Sequence, residues 1–167
     1  VKGIGCLIDS FEILNEKIPN TTLLIVGKSM MSHYDKLIKK KVKKIKLNEN
    51  IKFIGHISQK TIYKYFNICD IVVAPSSYEP FGMVNVQAIK LDKLLIATWN
   101  TGSVEVIKKY PGLKIVRSNS PQELAKELEN ILLMNDRMII YNFDLSFLSW
   151  TSMVKNIEKL FKTVIIK

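Results

Sequence analysis

The chain has 167 residues, 47% of them hydrophobic, and carries 25 Lys and Arg against 15 Asp and Glu, a net charge of +10. That length suits one domain with a sizeable core, and no apolar run approaches the roughly 18 residues of a membrane span. No signal-peptide pattern is visible in the first residues, and Cys6, Cys69, His33 and His56 are too scattered for a disulfide or zinc framework. The two cysteines, in apolar surroundings, read as buried thiols of a reducing compartment.

In chain order, Ile4 to Lys17 carries Leu7, Ile8, Phe11 and Leu14 at helical spacing, with Ile18 next, and stops at Pro19-Asn20. A short apolar run near 22–26 predicts a strand. The helix expected over 32–46 holds seven lysines (Lys36, Lys39, Lys40, Lys41, Lys43, Lys44, Lys46), with Tyr34, Leu37, Ile38, Val42 and Ile45 at helical spacing on its other face. A solvated face ranks first for this lysine coat, an anionic membrane surface second and nucleic acid last. Of the 25 basic residues only Arg117 and Arg137 are arginine, and no stacking aromatics accompany the lysines.

Further strands are expected near 51–54, 70–74, 94–98 and 113–117, and helices over 59–67, 83–91, 103–109 and, after the Ser120-Pro121 start signal, 121–133. Helices between successive apolar strands imply right-handed crossovers: an α/β fold with a doubly wound, Rossmann-like parallel sheet and helices on both faces. The tail ends in an amphipathic helix bearing Trp150, Met153, Ile157, Leu160, Phe161 and Val164. Residues 1–145 read as the domain body and 146–167 as its C-terminal helix. The apolar stripe of that helix is expected to fold partly onto the body and to stay partly exposed.

Ligands of such sheets sit at the carboxyl ends of the strands. The most informative stretch lies there, Pro75-Ser76-Ser77-Tyr78-Glu79-Pro80-Phe81-Gly82-Met83-Val84-Asn85-Val86-Gln87, after the apolar Asp70 to Ala74. Strand, polar loop, glycine and helix start form an anion-holding geometry, because free N–H groups point out of a helix N-terminus. Glu79 is poorly suited to phosphate and well suited to sugar hydroxyls. Gly3-x-Gly5 lacks the third glycine and the preceding strand of a dinucleotide site.

Pro-Ser-x-x-Glu-x-Phe-Gly resembles the signature of retaining glycosyltransferases of the GT-B fold, most of all their glycosyl-transferases group 1 family. Other stretches are similar in the same order: Lys2-Gly3 with the helix after it, Leu23 to Gly27, Ile51 to Gly55, Thr101-Gly102-Ser103-Val104-Glu105, and Phe147 to Trp150. The resemblance covers the C-terminal, donor-binding half of that fold. It implies a piece of a longer protein, with a first strand expected just before Lys2 and an acceptor domain N-terminal to that.

By resemblance, the donor is a UDP- or GDP-sugar and no metal or other cofactor is needed. Lys2 and Lys28 would meet the diphosphate, backbone N–H groups of Phe81, Gly82 and Met83 the β-phosphate, and Glu79, the candidate catalytic residue, the sugar. Ile54, Gly55 and Ile57 would frame the base; Gly102 and Glu105 would line the sugar side. Gln87 stands where the family has a second Glu for the ribose, Leu91-Asp92-Lys93-Leu94 where it has Gly-x-Pro, and Thr101 where it has a first glycine. The reading is the donor-binding half of a retaining glycosyltransferase, inactive or nearly so without its N-terminal domain. It would be cytoplasmic or peripheral on the cytoplasmic face of a membrane, and would not bind nucleic acid. The alternatives are a degenerate binding module for a nucleotide sugar, a partner or a membrane surface, and, ranked lower, a nucleotide-sugar epimerase.

Overall fold

A computed structural model describes residues 2–28, 32–134 and 140–165. The elements alternate as the apolar runs predict: α1 (Ile4–Lys17), β1 (Leu23–Val26), α2 (Ser32–Lys44), β2 (Ile51–Gly55), α3 (Gln59–Ile68), β3 (Ile71–Ala74), α4 (Met83–Lys90), β4 (Leu94–Thr98), α5 (Ser103–Ile107), β5 (Leu113–Val116), α6 (Pro121–Leu132), a 3-10 turn (Ser146–Leu148) and α7 (Trp150–Ile165). Every strand pairing is parallel.

Side-chain alternation along the strands sorts the core into two layers. Ile71 and Val73 of β3 with Leu94 and Ile96 of β4 face α1, α2 and α6, whose Leu7, Phe11, Ile38, Val42 and Leu128 close that side. Val72, Leu95 and Ala97 face the other way, onto Phe66 of α3, Ala88 and Ile89 of α4, and Val104 and Ile107 of α5. Helices cover both faces, the expected doubly wound layering.

The hydrogen-bonded sheet comes in two pieces, however: β1 pairs with β2, and β3, β4 and β5 pair in that order. Burial follows the pairing. β4, with a neighbour on each side, is buried at all five positions, whereas β1 and β3 are each fully buried at one position of four. One apolar core nevertheless spans both pieces, because Leu23 and Ile25 of β1 share a cluster with Ile71 and Val73 of β3 beneath α1.

Three other expectations shift. In α2 the packed residues are Ile38 and Val42, while Tyr34 and Leu37 lie exposed beside the lysines. Leu37 sits about 100° around the helix from Ile38 and so falls on the flank of the inward stripe rather than within it. Cys6 and Cys69 are half-buried rather than buried, and desolvation pushes both thiols up. The stripe of α7 is wholly exposed from Trp150 (76%) to Phe161 (58%); its packing is against the Ser146–Leu148 turn, and Val164 lies outside the described side chains.

The Leu91-Asp92-Lys93-Leu94 departure has a structural role. Asp92, in a left-handed conformation (φ 51°), accepts the N–H groups of Tyr141 (3.2 Å) and Asn142 (3.0 Å). Tyr110 stacks edge-on against Tyr141 and Phe143, with centroids at 4.9 and 5.5 Å, and donates its hydroxyl to the Lys93 carbonyl at 2.9 Å. The chain after residue 140 is thereby fastened to the end of α4.

Candidate functional site

The site is assembled at the carboxyl ends of β3 and β4. Gly82 caps α4 in a left-handed conformation (φ 86°), and no side chain caps the helix. A Cβ there would come within 2.6 Å of Thr101 Cγ2, so glycine is required on both conformational and steric grounds. With no acidic residue in the first turn either, the N–H groups of Met83 and Val84 have no intrahelical acceptor, and Phe81, Met83 and Val84 are all exposed. By contrast, α3 is closed by the Ser58 hydroxyl, which accepts from the Thr61 N–H at 3.2 Å. Of these two helix starts, α4 is the one left open to an anion.

The loop before α4 is stitched to the loop after β4. Glu79 N–H donates to the Asn100 carbonyl (3.1 Å), Gly102 N–H to the Glu79 carbonyl (3.0 Å) and Ser103 N–H to the Phe81 carbonyl (2.8 Å). The first two form a parallel bridge between Glu79 and Thr101. Gly102 is obligatory for a different reason from Gly82: its backbone is ordinary, but a Cβ would collide with the Pro80 carbonyl oxygen. Beneath the stitch lies a buried polar layer of Ser76, Asn85, Thr98, Thr101 and Ser103. Thr98 Oγ1 donates to the Ser76 carbonyl and lies 3.3 Å from Thr101 Oγ1.

Lys2 reaches this loop from 77 positions away in sequence, its ammonium pairing with the Glu79 carboxylate. Gly3 packs directly against Pro75, so α1 starts beside the end of β3. The structure thus brings Lys2, Glu79, Phe81, Gly82, Met83 and Gly102 into one cluster. Gly55 and Lys28 belong to the neighbouring strand ends, where the Gly27 N–H donates to the Gly55 carbonyl at 2.8 Å. Gln87 lies one turn further along α4, partly buried, and Glu105 is the exposed first-turn acid of α5. Sequence reasoning missed Asn85 and Ser103, both completely buried. The signal was available for Asn85: it is spaced i, i+3, i+4 with the buried Ala88 and Ile89.

The family model for glycosyl transferases group 1 matches residues 1–142. The chain belongs to the glycosyl transferases group 1 family. Among its relatives, the mannosylfructose-phosphate synthase of Agrobacterium fabrum is 31% identical over 111 residues, covering 64% of this chain and 24% of that protein. Two solved structures of GT-B glycosyltransferases carry the fold comparison. The C-terminal domain of a glycosyl transferase group 1 family protein, LpcC of Francisella tularensis, is 28% identical with a TM-score of 0.71, covering 78% of this chain and 69% of that one. HepE of Anabaena, solved in complex with UDP-glucose, is 25% identical with a TM-score of 0.70, covering 79% of this chain and 36% of that one. The group 1 chain described here thus spans about a quarter of the synthase and about a third of HepE.

Proposed function

We propose that this chain is the donor-binding half of a retaining glycosyltransferase that takes its sugar from a UDP- or GDP-sugar without a metal ion. The observation that carries the reading is the open N-terminus of α4 set beside Glu79 and Lys2. Backbone N–H groups of Phe81, Gly82 and Met83 would receive the β-phosphate, and Lys2 would supply the positive charge that stabilises the leaving diphosphate. In the free protein Lys2 is committed to Glu79. The pair is largely solvent-facing on the lysine side, so it is cheaply exchanged. Arrival of a diphosphate would draw Lys2 away and release the Glu79 carboxylate to accept from sugar hydroxyls. Lys28, at the end of β1, would offer a second ammonium to the diphosphate, and Gly55, at the end of β2, would frame the base; Gln87 would meet the ribose, and Gly102 and Glu105 the sugar side.

The acceptor and the remaining catalytic groups would come from an N-terminal domain, without which this chain would turn over little or nothing. The strand pattern supports a preceding segment. Among the described residues the unpaired edges of β1 and β3 lie under one helix, and α1 starts beside the end of β3, where a parallel strand leading into Lys2 would finish. Among the described residues no helix is long and apolar enough to cross a membrane. We place the parent protein in the cytoplasm or at the membrane surface, with the α2 lysines as the candidate lipid contact. Gln87 is the observation that favours a second reading, a degenerate module that binds a nucleotide sugar without transferring it.

Titration of the chain with UDP, GDP and their sugars, followed by amide shifts, tests the donor site. Signals of Lys2, Glu79 and Phe81 to Gln87 are expected to move first. Absence of binding by either nucleotide at millimolar concentration would refute it.

A further inference from the structure

Asn85 lies inside the Pro75 to Gln87 stretch but beyond the Pro-Ser-x-x-Glu-x-Phe-Gly signature, and it touches no solvent. It sits in the first turn of α4, three residues past Gly82, to whose carbonyl its backbone N–H donates at 3.0 Å. Its side-chain Nδ2 donates to Ser103 Oγ at 3.1 Å, and the Ser103 N–H in turn donates to the Phe81 carbonyl at 2.8 Å. The three bonds close a ring through Phe81, Gly82, Asn85 and Ser103. The ring ties the first turn of α4 to the first residue of α5. Nδ2 also lies 3.3 Å from where a Cβ on Gly82 would stand, so the amide fills the space directly beneath the glycine cap.

The other end of this amide is unsatisfied. Among the described residues, Asn85 Oδ1 is buried without a hydrogen-bond partner. A buried acceptor left unpaired destabilises a fold, and an apolar side chain of similar size would fill the same volume without that penalty. Stability alone does not account for an asparagine here. Its bond to Ser103 acts on a local variable, the separation and orientation of the Glu79–Gly82 loop and the Thr101–Ser103 turn.

We propose that Asn85 is a positioning residue of the donor site, acting through Ser103 and the Phe81 carbonyl to hold the open amides of α4 and the Glu79 carboxylate in one ligand-ready geometry. The inference rests on the donor-site reading. It adds that the geometry is set from below by a buried side-chain bond that no ligand reaches. Sites held by such supporting bonds lose affinity when the support is removed, even though the contact groups themselves remain.

The test uses Asn85→Ala, Asn85→Val, Ser103→Ala and the Asn85→Ala/Ser103→Ala pair, with UDP and GDP as probes. Affinity is measured by calorimetry and melting temperature in parallel. The expected result is binding weakened about tenfold in each single variant, no further weakening in the double variant, and melting temperatures within a few degrees of wild type. Coupled loss of affinity at constant stability is a readout that a merely structural role would not give. If Asn85→Ala does not fold, Asn85→Val keeps the core filled and decides the matter. Wild-type affinity in any folded Asn85 variant overturns the inference, as does an affinity loss matched by a collapse in melting temperature. A wild-type chain that binds neither nucleotide overturns the donor-site reading and this inference with it; binding by wild type with unaffected variants overturns this inference alone.

Discussion

Replacing Gly102 with Ala should separate the two loops that form the candidate site. The residue has right-handed backbone angles (φ −58°, ψ −32°), so alanine introduces no conformational strain and would, on unfolded-state entropy alone, stabilise by roughly 0.4–1 kcal/mol. The steric term opposes this and is larger. The new methyl points at the Pro80 carbonyl, with the carbonyl carbon at 3.1 Å and Phe81 Cα at 3.6 Å, and backbone cannot move aside as a flexible side chain would. Relief requires the Glu79–Phe81 loop to lift away. That sacrifices the Gly102 N–H to Glu79 carbonyl and Ser103 N–H to Phe81 carbonyl bonds, each worth about 1 kcal/mol net, on top of about 1–3 kcal/mol for overpacking. The net loss is about 2–4.5 kcal/mol.

Chemical denaturation measures that loss directly, and a melting temperature lower by about 4–18 °C accompanies it for a chain of this length. Gly5→Ala supplies the opposite sign from the same substitution. Gly5 lies within α1 with no atom within 4 Å of its Cβ position, so alanine there should stabilise by about 0.5–1 kcal/mol. If Gly102→Ala proves as stable as wild type and binds nucleotide equally well, the stitched-loop description of the site is wrong.

Gln87→Glu should tighten UDP or GDP binding about tenfold by restoring charge-assisted acceptance from the ribose hydroxyls; unchanged affinity in calorimetry removes Gln87 from the site. Tyr110 is held neutral in the fold, its pKa raised first by desolvation and then by the Asp92 and Tyr141 charges, whereas the unfolded side chain ionises near about 10. Its contribution is therefore complete below pH about 10 and is lost as pH rises beyond it, at up to about 1.4 kcal/mol per pH unit. Denaturation at several alkaline pH values should show a shallower decline for Tyr110→Phe, and identical slopes would contradict this account. The exposed apolar face of α7 should drive concentration-dependent self-association in sedimentation, abolished by replacing Leu160 and Phe161 with serine; a wild-type chain that stays monomeric at every concentration would show that this face is covered in solution.

How much of this could be read from the sequence follows from the range of the interactions involved. Element boundaries depend on local apolar period and on Gly, Pro and Asn breaks, and β3 and α4 emerge within a residue of where those signals place them. That Gly27-Lys28, Gly55-His56, Ser76 to Gly82 and Asn100 to Ser103 fall at strand ends was legible for the same reason. What was not legible depends on contacts between distant segments. The Lys2–Glu79 pair spans 77 positions, and the Asn85–Ser103 bond spans 18. Asp92 is polar and ends a helix, which reads as a turn; its bonds to Tyr141 and Asn142 depend on where the chain returns some fifty residues later. The exposure of α7, expected to be partial, proved complete over the described stripe, because periodicity shows that a face is apolar without showing what lies against it.

The divided sheet links the fold to the site. In a parallel sheet covered on both faces, a strand is fully buried only when paired on both edges, as β4 is. Among the described residues β3, which carries the candidate site at its end, is paired on one edge alone, and its Ile71, Val73 and Ala74 remain partly exposed. The loop geometry therefore rests on β4 and α5 from one side and on Lys2 and Gly3 from the other.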